Sequence, residues 1–292
     1  MATPHAKSVR SAERLNEDLG ILFARLGNSQ HPRGGVLVAY RNATRALATV
    51  LDDGSREKAW QVAEVLKDLR RNVAATTRPV IQDATTVAAH TAVTQLGAYG
   101  IDVGDRPTTQ IATPIVDQAM LAIMAIVDGQ IAGAQAMVST GASKGQILGD
   151  KSRQGVLLPA AVLVASAFWA VQAASSTWDW IATSWSGSRD EFYKQAVAAI
   201  DERTTDCCLQ VHGQVQPMDK PFELTGTPRY ADEVDAPPFH WNCRTAMAIV
   251  KPDDADDMLS QQMREAARDE RTARETTGRR DEIHPAHARS RR

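Results

Sequence analysis

Between Leu15 and Val73 the apolar residues recur every three or four positions, which restricts this part of the chain to helices packed on one another. Leu15, Leu19, Leu22 and Leu26 form one stripe, and Val36, Tyr40, Ala43, Leu47 and Val50 a second. Ala59, Val62, Leu66, Leu69 and Val73 form a third. Gly27-Asn28 with Pro32 and Gly34-Gly35 parts the first two, and Asp52-Asp53-Gly54 the next two, so short loops join antiparallel helices. Residues 1–10 are expected to be unstructured. Pro79 suits the first turn of a fourth helix running towards Leu96, and 97–107 reads as a loop.

Thr113-Pro114 is a helix start, threonine as cap and proline in the first turn. The helix it opens, to about Ala136, is apolar on several faces, through Ile115, Val116, Met120, Leu121, Ile123, Met124, Ile126 and Val127. Such a helix is central in a bundle or packed against another protein, and Ile123 with Ile126 is the face expected to meet a partner. Met120, Met124 and Met137 read as gap-filling core. Ser139 to Arg153, small and glycine-rich, reads as a hinge, which gives a helical domain over 1–150. The apolar run Val156 to Val171 is shorter than the roughly 20 residues a bilayer requires, so a buried helix is expected and no membrane partner. The helix, from about Pro159, runs into Trp178, Trp180 and Trp185, either a contact surface or packed beneath the next module, and Gly187-Ser188 breaks it.

From 201 to 250 the helical period disappears. Five prolines mark a loop-rich fold with short strands, and Phe192 to Ile200, its entry, could be strand or helix. All three cysteines fall here, as Cys207-Cys208-x3-His212 and His240-x2-Cys243. Short spacings let two ligands converge on one ion from a single turn, so Cys208, His212, His240 and Cys243 are the candidate ligands of a structural zinc, with Cys207 directed away. The same residues also fit a buried cysteine core with ordinary histidines. Asp201 and Arg203 read as an ion pair or as holders of loop carbonyls, and Arg244 as support for a neighbouring ligand.

The order Asp201-x-Arg203-Thr204, Cys208, His212-Gly213, Asp219-x-Pro221-Phe222 and Pro237-Pro238-x-x-Trp241-x-Cys243-Arg244 resembles the C-terminal module of tailed-phage minor head proteins. These are the Mu F-like and SPP1-type head morphogenesis family, and the resemblance covers about residues 155 to 250. Many relatives end the motif in Cys-Arg-Cys, whereas Thr245 follows Arg244 here. The resemblance implies a role in prohead assembly near the portal, with a portal, scaffold or major capsid protein as partner. It implies residence in the virion head, and in the host cytoplasm during assembly. In some relatives it implies a link to DNA packaging or release. It also implies that 192–200 is a strand, and it assigns no catalytic residue.

A net charge of −2 gives no overall drive towards nucleic acid or anionic membranes, so any DNA contact needs a local patch such as Arg289, Arg291 and Arg292. Three cysteines, two of them adjacent, do not make a disulfide scaffold and fit a reducing compartment. Two other functions compete: a metal-dependent hydrolase, for which Glu223 is the nearest candidate base, and a zinc-stabilised DNA-binding adaptor. The tail, 251–292, is charged and reads as helix and then disorder, with His284 and His287 solvated. The chain is thus expected to be mainly α, with an N-terminal helical array followed by a small α+β, loop-rich module over 151–250.

Overall fold

The computed structural model describes residues 2–27, 35–52, 58–104, 109–150, 153–185, 191–202, 204–224 and 232–277. It is mainly α, with a small sheet-containing region towards the C-terminus. Arg203, Gly187-Ser188 and the tail from 278, including His284, His287 and the terminal arginines, lie outside the described residues.

The first helix starts earlier than expected. Helix α1 spans Pro4–Gly27, and Thr3 caps it by accepting the Ala6 N–H at 3.2 Å. Its buried stripe reaches back through Ala12, Val9 and Ser8 to His5. Helix α2 is Val36–Asp52. The third and fourth expected helices are one, α3, Lys58–Ala98, with Pro79 inside it. Proline there removes one hydrogen bond and crowds the preceding turn. The helix nonetheless continues, because Val73, Thr77, Val80, Ile81 and Ala84 are all buried and keep one face across the proline.

Helix α4 is Thr109–Ser139. Its buried face is Val116, Ala119, Met120, Ile123, Met124 and Val127, while Leu121 is 73% exposed. Ile123 is therefore core, not a partner-facing residue, and Ile126 is half-buried. Arg78 reaches Asp117 at 2.8 Å and Arg70 reaches Asp128 at 2.6 Å, so α4 carries ion pairs along its length. The expected hinge is partly ordered. Ser143 and Gln146 form a capping box on α5, Lys144–Leu148, whose Ile147 is buried, and strands β1 (Gly149–Asp150) and β2 (Arg153–Gln154) pair after it. Helix α6, Pro159–Trp185, starts at the proline and carries all three tryptophans, as read from sequence. By length and composition alone Ala112–Ser139 and Pro159–Trp185 could cross a membrane, with 28% and 56% of their most apolar windows buried.

The chain forms two compact units, each discontinuous in sequence, so residues 150 and 250 do not mark their limits. One unit comprises Asp18–Val87 and Pro107–Thr177 and is helical apart from the β1–β2 pair. Here Tyr40 donates to Gln130 Oε1 at 2.8 Å, and Gln130 holds both the N–H and the carbonyl of Leu158. The other unit comprises Met1–Glu17, Ala88–Arg106 and Trp178–Arg292.

This second unit is built on an antiparallel sheet of order β4-β3-β7, formed by β3 (Tyr193–Val197), β4 (Val215–Pro217) and β7 (Ala246–Val250). The short α7 (Asp206–Val211) lies between β3 and β4 in the chain, and β5 (Phe222–Glu223) pairs with β6 (Glu233–Val234). Helix α8, Met258–Thr277, carries the charged tail, yet it buries Ser260, Met263, Ala267 and Arg274 and so packs within its own unit.

The outer edge of β7 is occupied by side chains. Gln95 accepts the Ile249 N–H at 3.1 Å and donates to the Met247 carbonyl at 3.0 Å, as a neighbouring strand would. Its oxygen also accepts the Trp178 indole N–H at 2.8 Å, so Trp178 is core. Trp180 is 40% exposed and packs edge-on against Trp185. Ser8 donates to the Ile249 carbonyl at 2.6 Å, and Asn16 to the Val197 carbonyl at 3.0 Å.

Candidate metal centre

Three segments bring the cysteines together. The first is the turn from Ala199 to Thr205, which feeds α7. Asp201 donates its N–H to Thr204 Oγ1 at 2.9 Å, and Thr204 returns its N–H to the Asp201 carbonyl at 3.0 Å. The Thr204 hydroxyl also donates to the Ala199 carbonyl. The buried Arg274 of α8 then grips this turn from outside. Its fork donates to the carbonyls of Thr204 and Asp201, while its Nε is held by Glu270 at 2.8 Å.

The second segment is α7, with Asp206 in its first turn, where a carboxylate suits the positive end of the helix dipole. Cys207 and Cys208 both lie in that turn and are 2% and 3% exposed. The third is Phe239 to Thr245, where Cys243 donates its N–H to the His240 carbonyl at 3.1 Å. Phe239 is buried edge-on against Phe222, and the buried Lys194 lies over the Phe222 ring while donating to the Asp235 carbonyl at 2.6 Å. Arg244 donates to both carboxylate oxygens of Asp201, at 2.7 and 2.6 Å, which ties the third segment to the first.

At the meeting point Cys208 Sγ lies 3.1 Å from His240 Nε2 and 3.8 Å from Cys243 Sγ. Cys207 Sγ, Cys208 Sγ and one His240 ring nitrogen all lie within 4.8 Å of one another. Thr205 Oγ1 is 3.0 Å from Cys207 Sγ, and the Thr245 N–H points at Cys243 Sγ at 3.4 Å. Three of the four residues read from spacing are thus gathered, Cys208, His240 and Cys243. Cys207, expected to turn away, joins them.

His212 does not. Its Nδ1 accepts the Ala198 N–H at 3.0 Å, which extends the pairing that Gly213 and Gln214 make with Ala196. Burial pushes its pKa down to about 4, so the ring stays neutral, with its proton on Nε2. The reason is local: Gly213, at φ +75°, turns the chain back along β3 and leaves the preceding side chain to satisfy the strand's last N–H.

The thiols differ in character. Burial raises the Cys208 thiol well above its ordinary value, and its cysteine neighbours raise it further. Burial also acts to raise Cys243, but hydrogen bonds from Cys208 and His240 outweigh it and draw that thiol well below its ordinary value. A cavity of about 10 Å³, room for one water-sized particle, is lined by Cys208, His240, Thr204, Asn242, Arg244 and Thr245 among others. The Cys208–His240 contact has the spacing of a nucleophile and its base, but the better nucleophile would be a thiolate, and burial disfavours one at Cys208. Glu223, the base considered for a hydrolase, lies on β5, where its N–H pairs with the Gln214 side chain, and does not line this cavity.

A second group, His5, Asp254 and Asp257, also has metal-ligand chemistry. Its atoms are already engaged: His5 bridges Asp257 Oδ2 at 2.7 Å and Gln195 Oε1 at 2.8 Å, and Asp254 Oδ2 accepts from Tyr99 and from the Lys251 N–H. These contacts pin the start of α1 to β3 and to the segment leading into α8.

No protein-family model, curated protein or solved structure matches the chain.

Proposed function

We propose that the chain is a minor head protein of a tailed phage, acting in prohead assembly near the portal, with a link to DNA packaging or release. One observation supports the reading above others. Residues that carry the resemblance and lie some forty positions apart meet at a single point: Asp201 pairs with Arg244, and Cys208 with Cys243. These four motif positions therefore belong to one compact site, which supports the reading. On this reading the module is structural, the partner is a portal, scaffold or major capsid protein, and the protein resides in the virion head. It assembles from the host cytoplasm, with no membrane partner.

The docking surface we assign is the exposed side of α4, where Leu121 projects beside exposed Ala125, Gly129 and Ala132. Leu121→Asp should fold normally, because the side chain is mostly in solvent, yet reduce incorporation into proheads assembled from portal, scaffold and capsid protein. Ile123→Asp should instead unfold the helical unit, since it places a charge in the core. Full incorporation of a folded Leu121→Asp protein would remove α4 as the interface. Failure of the unaltered protein to enter any prohead would remove the assembly role itself.

A further inference from the structure

Cys207, Cys208 and His240 gather within 4.8 Å of one another and Cys243 touches Cys208 at 3.8 Å, whether or not the chain belongs in a phage head. We propose that Cys207, Cys208, His240 and Cys243 bind one zinc-class divalent cation through three thiolates and one imidazole. This replaces the set of two thiols and two imidazoles suggested by sequence spacing.

The distances carry the inference. Tetrahedral zinc with thiolate bonds of about 2.3 Å sets its sulfurs about 3.8 Å apart, and Cys208 Sγ and Cys243 Sγ are 3.8 Å apart. Cys207 Sγ, Cys208 Sγ and one His240 ring nitrogen lie within 4.8 Å of one another, so Cys207 and His240 stand beside the thiol that Cys243 touches, and binding would draw the four inward. Adjacent cysteines can serve together because they sit in the first turn of a short helix beside a turn already clamped by Arg274 and Arg244. The Thr245 N–H directed at Cys243 Sγ is the contact that steadies a metal-bound thiolate. Thr245 also lines the small cavity beside Cys208 and His240, and its buried hydroxyl oxygen has no hydrogen-bond partner among the described residues. That hydroxyl offers a polar contact to whatever the cavity holds.

His240 is the weakest ligand of the four. Its Nδ1 accepts the Asn242 N–H at a long 3.3 Å, which leaves the ring proton on Nε2, facing Cys208. Coordination through Nε2 moves that proton to Nδ1, so the Asn242 contact must open. The long distance makes it a weak bond to give up. Binding also displaces thiol protons to solvent, so affinity falls as the solution is acidified.

The test uses the full chain, reduced and purified without chelator, with zinc content measured and the ion then exchanged for Co²⁺. Absorption of the cobalt protein reports tetrahedral geometry, and its sulfur-to-cobalt charge-transfer intensity reports the number of thiolates. The expected result is one ion per chain with the intensity of three thiolates in the unaltered protein. Cys207→Ser should bind cobalt with roughly one-third of that intensity gone. His212→Asn should leave the spectrum unchanged, and His240→Ala should weaken binding while keeping the thiolate band. Intensity for only two thiolates in the unaltered protein, or loss of the site in a folded His212→Asn protein, would overturn the proposed ligand set. Absence of both zinc and cobalt from the reduced chain would overturn the site. The unaltered protein supplies the thiolate count even if Cys207→Ser fails to fold.

Discussion

At the scale of single residues, His212 fits both a zinc set and an ordinary histidine by its spacing, and its ring turns to the backbone. Spacing places it four residues after Cys208, a good ligand separation, but nothing in spacing says which way a ring turns. The Ala198 N–H, just past the end of β3, settles its direction by donating to the ring's Nδ1. Its pKa falls from 6.5 to about 4, so acidification favours the unfolded chain, in which the ring takes up a proton that the folded protein refuses. The stabilisation is fully present above pH 6.5 and is lost as pH falls towards 4, amounting to about 3 kcal/mol in all. His212→Asn keeps an acceptor for Ala198 and removes the titration. Urea unfolding of both proteins across this range should show a smaller loss in the variant, by up to about 3 kcal/mol. Equal losses would mean that the ring is not buried neutral.

At the scale of elements, the periodicity of apolar residues located the helices but not their ends. The stripe of α1 continues backwards from Leu15 as Ala12, Ser8 and His5 at the same three-and-four spacing, and all are buried. Two of those residues are polar, so a count of apolar positions stops short of them. Gln95 escaped notice for the same reason: a glutamine on a helical stripe reads as surface until a strand edge needs its amide. Pro79 was given too much weight, because proline is a strong local signal whereas an unbroken buried face is a tertiary one. If α3 is continuous, Pro79→Ala restores a hydrogen bond and relieves crowding, and stability should rise by roughly 1–3 kcal/mol. Thermal unfolding would show this as a higher midpoint. An unchanged or lower midpoint would place Pro79 at a helix start.

At the scale of the whole molecule, the class of the fold was legible, because helical periodicity before residue 150 and its absence over 201–250 are strong opposing signals. The division of the chain was not. Residues 1–17 and 88–106 join the cysteine unit through polar contacts such as those of Ser8, Asn16 and Gln95, which leave no mark in composition. Those contacts pin β3 and β7 without help from the cysteines. Arg244 and Arg274 hold the segments 201–214 and 237–245 through Asp201 and Thr204, whereas the proposed ion would join their cysteines directly, and structural zinc contributes on the order of 10–16 kcal/mol in small finger peptides. Even a small part of that is enough to decide whether two loops stay ordered. Removing the proposed ion should therefore loosen these two segments and leave the sheet and the helical unit intact. Amide hydrogen exchange on the full reduced chain, with and without a zinc chelator, measures this directly. The account predicts lost protection over 201–214 and 237–245, with β3, β7 and residues 58–87 unchanged. Identical exchange in both samples, or loss of protection throughout the chain, would contradict it.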